Sequence, residues 1–155
     1  MGFPERFLSW ISISLRTATT RVSVNGVPGK RIEHARGLRQ GDPLSPQLFV
    51  LAMEIATLLF KKASEAGLLA PIANCGPTQR LSVYADDVVL FIKPMVPDLM
   101  ITREILSMFG EALGLRINYS KSSATLIRGG EEEEERVRGW LNCRIAPFPI
   151  KYLGL

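Results

Sequence analysis

Phe3, Phe7, Ile11 and Leu15 recur at every fourth residue, with Leu8 and Ala18 widening the stripe. This spacing predicts an amphipathic helix over residues 4 to 19 whose apolar face needs a partner. Arg21 to Asn25 then alternates as Arg-Val-Ser-Val-Asn, Gly26 and Pro28-Gly29 supply turn chemistry, and Arg31 to Arg36 is expected to return as a second strand. Ser45-Pro46 is a strong helix start, a capping hydroxyl followed by a proline, and Gly67 is a C-terminal stop. Residues 46 to 66 are therefore expected to form a long, largely buried helix. After a loop at Pro71 to Pro77, Ser82-Val83 and Val88 to Ile92 read as two short strands, and a second loop follows at Pro94 to Pro97. Residues 98 to 113 show helical spacing again, from Met100 and Ile101 through Ile105, Met108 and Phe109 to Leu113, and stop at Gly114. Strand-like pieces at Leu115 to Asn118 and Ala124 to Ile127, a polar helix at Glu132 to Leu141 and a last strand at Lys151 to Leu153 complete the pattern. The order is mixed α and β without an internal repeat, which places the chain in the α+β class, with a small antiparallel sheet packed on helices.

Inside the apolar stretch Leu81 to Ile92 stands Tyr84-Ala85-Asp86-Asp87. Two adjacent carboxylates at the tip of a hydrophobic hairpin repel one another unless they share a cation, and hard oxygen ligands point to magnesium or manganese. That pattern suggests metal-assisted phosphoryl chemistry. The run Glu131 to Glu135, by contrast, reads as a solvated helix start, where acids favour the positive end of the helix dipole, and it is given no metal role.

With 155 residues, 46% hydrophobic and 22% charged, the chain suits one globular domain with a real core. Its longest uninterrupted apolar run, Leu48 to Met53, is far below the roughly 20 residues of a spanning helix. The N-terminus, with Glu5 and Arg6 in an amphipathic pattern, does not resemble a cleaved signal peptide, so an intracellular protein without a membrane partner is expected. Cys75 and Cys143 are too few and too far apart for a zinc cluster or a disulfide framework, and are expected to be reduced, semi-buried thiols. The net charge is +4, but outside Glu131 to Glu135 there are 19 basic and 10 acidic side chains, a balance of +9 that favours a polyanion such as nucleic acid. Six basic residues and a single acid, Glu33, lie between Arg16 and Arg39. Arg21, Lys30, Arg31, Arg36 and Arg39 are accordingly the candidates for phosphate contacts.

Arg39-Gln40-Gly41-Asp42-Pro43-Leu44-Ser45-Pro46 combines a flexible glycine with rigid prolines, a turn that can bring backbone N–H groups and the Gln40 amide close to a substrate. The paired aspartates follow 44 residues after Asp42, then Gly114 to Ser122, then Lys151-Tyr152-Leu153-Gly154-Leu155. In this order RQGDPLSPQLF, YADDVVLF, GLRINYSKS and IKYLGL resemble the successive palm motifs of reverse transcriptases, closest to those of non-LTR (LINE-type) retrotransposons. GFPERFLSWI and VSVNG also resemble the stretch that precedes the turn in those elements.

The resemblance implies a partial polymerase palm acting as an RNA-directed DNA polymerase with Mg2+ or Mn2+, and RNA template, DNA primer and dNTPs as partners in the intact enzyme. Asp86 and Asp87 resemble the metal-binding catalytic pair, with Asp86 the foremost ligand because neighbouring strand residues point to opposite faces. Two ions about 3.5 to 4 Å apart would activate the primer 3′-hydroxyl and stabilise the leaving pyrophosphate. Gln40, Gly41 and Tyr84 fall at positions that touch substrate, Lys121 at that of a lysine proposed to protonate the leaving group, and Tyr152, Leu153 and Gly154 at the start of the primer grip. Such a site needs a further carboxylate from an earlier strand, yet the four aspartates are Asp42, Asp86, Asp87 and Asp98. The expectation is a chain truncated at both ends, lacking the first palm aspartate, fingers and thumb, and inactive alone. A non-catalytic nucleic-acid-binding remnant and a reverse transcriptase of the group II intron maturase type are the rival readings.

Overall fold

A computed structural model describes residues 2–35, 37–72, 80–85, 87–115, 117–150 and 152. The contacts divide the chain into two compact units, residues 1–49 and 50–155. Helices and small sheets are mixed along the chain, as the α+β reading expects. The strands do not join in one antiparallel sheet, however; among the described residues they form three two-stranded sheets, and the last of them is parallel.

The first unit holds α1 (Glu5–Arg16), the hairpin β1 (Thr19–Val24) and β2 (Val27–Glu33), and the start of α2 (Ser45–Glu65). No residue of α1 is buried, and Leu8 of its apolar stripe stays more than half exposed. In the hairpin, Val24 pairs with Val27 across Asn25-Gly26, whose φ angles of 49° and 80° are both positive. That is the mirror-image turn that Asn-Gly favours because its twist matches the strands. The turn expected at Pro28-Gly29 is not formed. Both residues lie within β2, where the register shifts between Arg21 and Ser23 and a bulge absorbs an extra residue. A Cβ on Gly29 would stand 3.0 Å from the Val22 carbonyl oxygen, a tight approach that glycine avoids. Pro28 is tolerated because a two-stranded sheet leaves it an open edge.

The second unit contains the greater part of α2, β3 (Leu81–Tyr84), β4 (Asp87–Leu90), α3 (Val96–Leu113), β5 (Ser123–Ala124), α4 (Glu131–Leu141) and β6 (Arg144–Ile145). Its core joins Ala56, Phe60 and Ala63 of α2 to Ile105 and Phe109 of α3, with Leu69 and Leu81 between them. α2 stops where Gly67 enters the left-handed region at φ 73°: the Leu68 N–H donates to the Ala63 carbonyl (2.9 Å) and the Gly67 N–H to the Ser64 carbonyl (3.1 Å). These two bonds make a Schellman stop. α3 begins two residues earlier than the pattern predicts, because Pro97 sits in its first turn, where it has no N–H to lose.

Three strand expectations differ from the structure, and of the one at Ala124 to Ile127 only Ala124 lies in a strand, β5. Leu115, Ile117 and Asn118 are in no strand, and Asn118 instead opens a turn whose Lys121 and Ser122 N–H groups donate to its carbonyl. Tyr152 is not in a strand either, while Lys151 and Leu153 lie outside the described residues. The parallel pair to β5 is β6, too short for any periodicity to announce. Cys143 is free and buried, and burial pushes its thiol above the usual range; Cys75 lies outside the described residues.

The Glu133 carboxylate accepts from the Gly130 N–H (2.9 Å) at the head of α4. That bond, together with the Glu133 N–H and the Arg136 guanidinium, holds its carboxyl below the usual carboxylate range. A depressed carboxyl stabilises the folded chain at pH above the unfolded value and loses that contribution as pH falls through the folded one. Acid titration followed by circular dichroism should therefore show α4 weakening below the ordinary carboxylate range. Glu133→Gln, which keeps the bond without titrating, should flatten that step. Phe60, 1% exposed, is the larger stake: Phe60→Ala should destabilise the chain by about 3 to 5 kcal/mol in urea unfolding.

Candidate functional site

β3 and β4 pair as Leu81 with Leu90, Ser82 with Val89, Val83 with Val88 and Tyr84 with Asp87. Residues directly opposite share a face, and successive residues alternate. Leu81, Val83 and Leu90 thus point one way, into the core, while Ser82, Tyr84, Asp87 and Val89 point the other. Tyr84 is 62% exposed and Asp87 is exposed beside it. Among the described residues, the Asp87 carboxylate has no hydrogen-bond or ion-pair partner. Asp86 lies outside the described residues. The turn is tight, with two residues between paired positions, and Ala85 takes φ 49°. An alanine in the left-handed region costs about 1 to 2 kcal/mol, strain that the packing of the opposite face offsets.

Tyr152 comes to the outward face of this hairpin, its hydroxyl 3.1 Å from that of Ser82. Ser82 was not among the candidates, although a serine alternating with Leu81 and Val83 is itself a sign of the outward face. Leu153 and Gly154 lie outside the described residues. Lys121 is exposed in the Asn118–Ser122 turn, where its N–H reaches both the carbonyl and the side-chain Oδ1 of Asn118 (3.1 and 3.2 Å). The structure gives its ammonium group no partner among the described residues.

In the first unit, Arg39 to Asp42 forms a turn closed by the Asp42 N–H on the Arg39 carbonyl (3.3 Å), with Gly41 at φ 84° in its third position. That position needs a residue free to adopt positive φ. The Ser45 hydroxyl does not cap α2. It donates back to the Arg39 carbonyl at 2.7 Å, while the Asp42 carboxylate accepts from the Leu44 N–H at 2.9 Å. Leu44 takes the capping position, its carbonyl accepting from the Leu48 N–H. The hydroxyl is thus spent on closing the turn, which leaves Arg39, Gln40 and Gly41 exposed on its outer side.

On the first hairpin, Arg21 and Arg31 are partners across the ladder and so share one face; both are exposed, as is Lys30. Like charges opposite one another destabilise a strand pair. An anion between them would reverse the sign. Arg36 lies outside the described residues. Thr20 and His34 close the open end of the hairpin through a 2.5 Å side-chain hydrogen bond.

The sequence matches the family described as reverse transcriptase (RNA-dependent DNA polymerase) over residues 1–155. The chain belongs to that family. It is 35% identical over 156 aligned residues, 99% of its length, to an uncharacterized 149 kDa protein of transposon TX1 from Xenopus laevis. It is also 30% identical to a retrovirus-related Pol polyprotein of a type-2 retrotransposable element from Drosophila melanogaster, over 86% of its length, and 37% identical to one of a type-1 element from Nasonia vitripennis, over 83%. The matched region makes up 11%, 12% and 10% of those three proteins.

Two substitutions probe the acidic hairpin. Ala85→Gly should stabilise it by about 1 kcal/mol, because glycine removes the left-handed penalty. Tyr152→Phe should lose about 1 kcal/mol through the missing hydroxyl contact. Both are read from urea denaturation midpoints at constant slope.

Proposed function

We propose that the chain carries the metal-binding half of a nucleotidyl-transfer site for RNA-directed DNA synthesis, on part of a polymerase palm. The observation that supports it best is the hairpin itself: one face is locked in the core, and the other presents Tyr84 and Asp87 to solvent at the tip. Asp87 supplies hard oxygen donors with no competing partner among the described residues, and adjacent Asp86 supplies the same chemistry. That donor set fits Mg2+ or Mn2+. When bound, such ions supply charge neutralisation and nucleophile activation for an in-line displacement.

The chain's own residues divide the remaining work. Asp86 and Asp87 hold the cations, and Tyr84, on the face of Asp87, lies against the primer end or the incoming nucleotide. The Arg39–Asp42 turn offers Gln40 and the backbone at Gly41 to substrate, and Arg21, Lys30, Arg31, Arg36 and Arg39 hold phosphates of an RNA template or DNA primer. Lys121 stands as the proton donor to the leaving group, and Tyr152, with Leu153 and Gly154, borders the primer strand. No group of three ligating side chains occurs among the described residues. Two aspartates outside the pair are otherwise engaged: Asp98 is buried, and Asp42 holds the Leu44 N–H. The chain by itself is therefore proposed to bind the metal weakly and to be inactive in synthesis.

Manganese titration followed by electron paramagnetic resonance tests the site. Asp86→Asn and Asp87→Asn should each weaken binding about tenfold. Purified chain with Mg2+, RNA template, DNA primer and dNTPs should give no extension; extension abolished by Asp86→Ala would overturn the inactivity. Arg21→Ala and Arg31→Ala should each lower the salt dependence of RNA binding by about one phosphate contact.

A further inference from the structure

Among the described residues only two charged side chains are buried, Arg80 at 5% and Asp98 at 2% exposure. Neither belongs to the site described above. Arg80 immediately precedes β3, and its carbonyl accepts from the Phe91 N–H at 2.8 Å, adding a rung at the base of the acidic hairpin. Its Nε–H donates to the Ser64 hydroxyl of α2 at 2.6 Å, and that hydroxyl donates onward to the Phe60 carbonyl at 2.9 Å. Its Nη2 donates to the Ala70 carbonyl at 2.5 Å, and the N–H of the same residue donates to Asp98 Oδ1, in the first turn of α3, at 3.2 Å. The two charges therefore meet through the backbone of Ala70 rather than as an ion pair. Among the described residues, Arg80 Nη1 and Asp98 Oδ2 have no hydrogen-bond partner.

Burying two incompletely paired charges is expensive, and an apolar pair of similar volume would commonly be as stable or more so. What the charges add is direction. The apolar contacts of Leu81, Val83 and Leu90 hold the hairpin against the helices but are indifferent to small sliding, because hydrophobic attraction is non-directional. A planar guanidinium with two donors on two different elements allows far less freedom. We infer that Arg80 is a positioning residue for the acidic hairpin, latching its base to α2 through Ser64 and to α3 through Ala70 and Asp98, so that the Asp87 carboxylate at the tip is held at a fixed height above both helices. The role in metal binding rests on the function proposed above, whereas the latch itself does not.

Arg80→Lys in the full chain separates positioning from general stability, because lysine keeps the charge and loses the two-donor fork. Amide hydrogen exchange of Phe91 and the β3–β4 strands should accelerate about tenfold, while the Ile105 and Phe109 amides of α3 stay within about twofold. Manganese affinity should fall about fivefold under conditions where circular dichroism is unchanged. Ser64→Ala, which removes one acceptor, should move both readouts the same way by less, and it decides the matter by the same comparison if Arg80→Lys does not fold. Equal acceleration in the hairpin and α3, or no acceleration in the hairpin, would overturn the latch. A faster hairpin with unchanged manganese affinity would overturn its positioning role. Should the unsubstituted chain bind no manganese, the metal reading fails while the exchange comparison still decides the latch.

Discussion

The proposed metal site depends on the register of one short hairpin. Strand side chains alternate with a period of two, so a slip of one residue between β3 and β4 would exchange the faces. A slip of β4 would press Asp87 toward the cluster around Phe60, Ile105 and Phe109 and turn Leu90 to water, and a slip of β3 would do the same to Ser82 and Tyr84 and to Leu81 and Val83. Burying an ionised carboxylate costs several kcal/mol, and exposing each large aliphatic side chain adds about 2 kcal/mol. The observed pairing wins by a wide margin. An acidic tip is thus specified by the apolar residues behind it.

The two antiparallel hairpins reach their registers by opposite means. β1–β2 turns on Asn25-Gly26, the residue pair its geometry prefers, and buries no residue on either strand. β3–β4 turns through Ala85, a poor residue for positive φ, and relies on its buried face. Turn chemistry fixes the first and core packing the second. Because packing carries the second hairpin, its tip is free to hold residues chosen for chemistry rather than for turning. An alanine in the left-handed region beside two carboxylates is tolerable only on that condition.

The three long helices were legible because eleven or more residues of amphipathic spacing leave little ambiguity, and their ends differed from expectation by three residues or fewer. The turns were less so. Pro28-Gly29 has turn composition just as Asn25-Gly26 does, yet it was absorbed as a bulge. Ser45 has the chemistry of a cap, but the Arg39 carbonyl lay nearer to its needs. β5 and β6, at two residues each, carry no period to detect. Of the site, Asp86 and Asp87 stood out as adjacent charges in an apolar stretch, and Gln40, Lys121 and Tyr152 rested on family motifs. Arg80 and Asp98 gave no signal at all, since a charged residue in sequence reads as surface until its partners are known.

Unrelieved repulsion is the feature that the two units share. In the first, Arg21 and Arg31 face each other across a ladder in water. In the second, two carboxylates follow one another at a hairpin tip. Each arrangement is unfavourable alone, and a ligand of opposite sign would relieve it: the proposed phosphate chain for the guanidiniums and the proposed divalent cation for the carboxylates. Arg80 and Asp98 show the contrary choice, with charges whose polar contacts are made to the protein's own backbone and hydroxyls. In the proposed reading, charges satisfied internally serve placement, and charges left facing water serve binding. The proposed function needs a phosphate track and a metal site together, and the exposed charges of Arg21 and Arg31 on one hairpin and of Asp87 on the other are of those two signs.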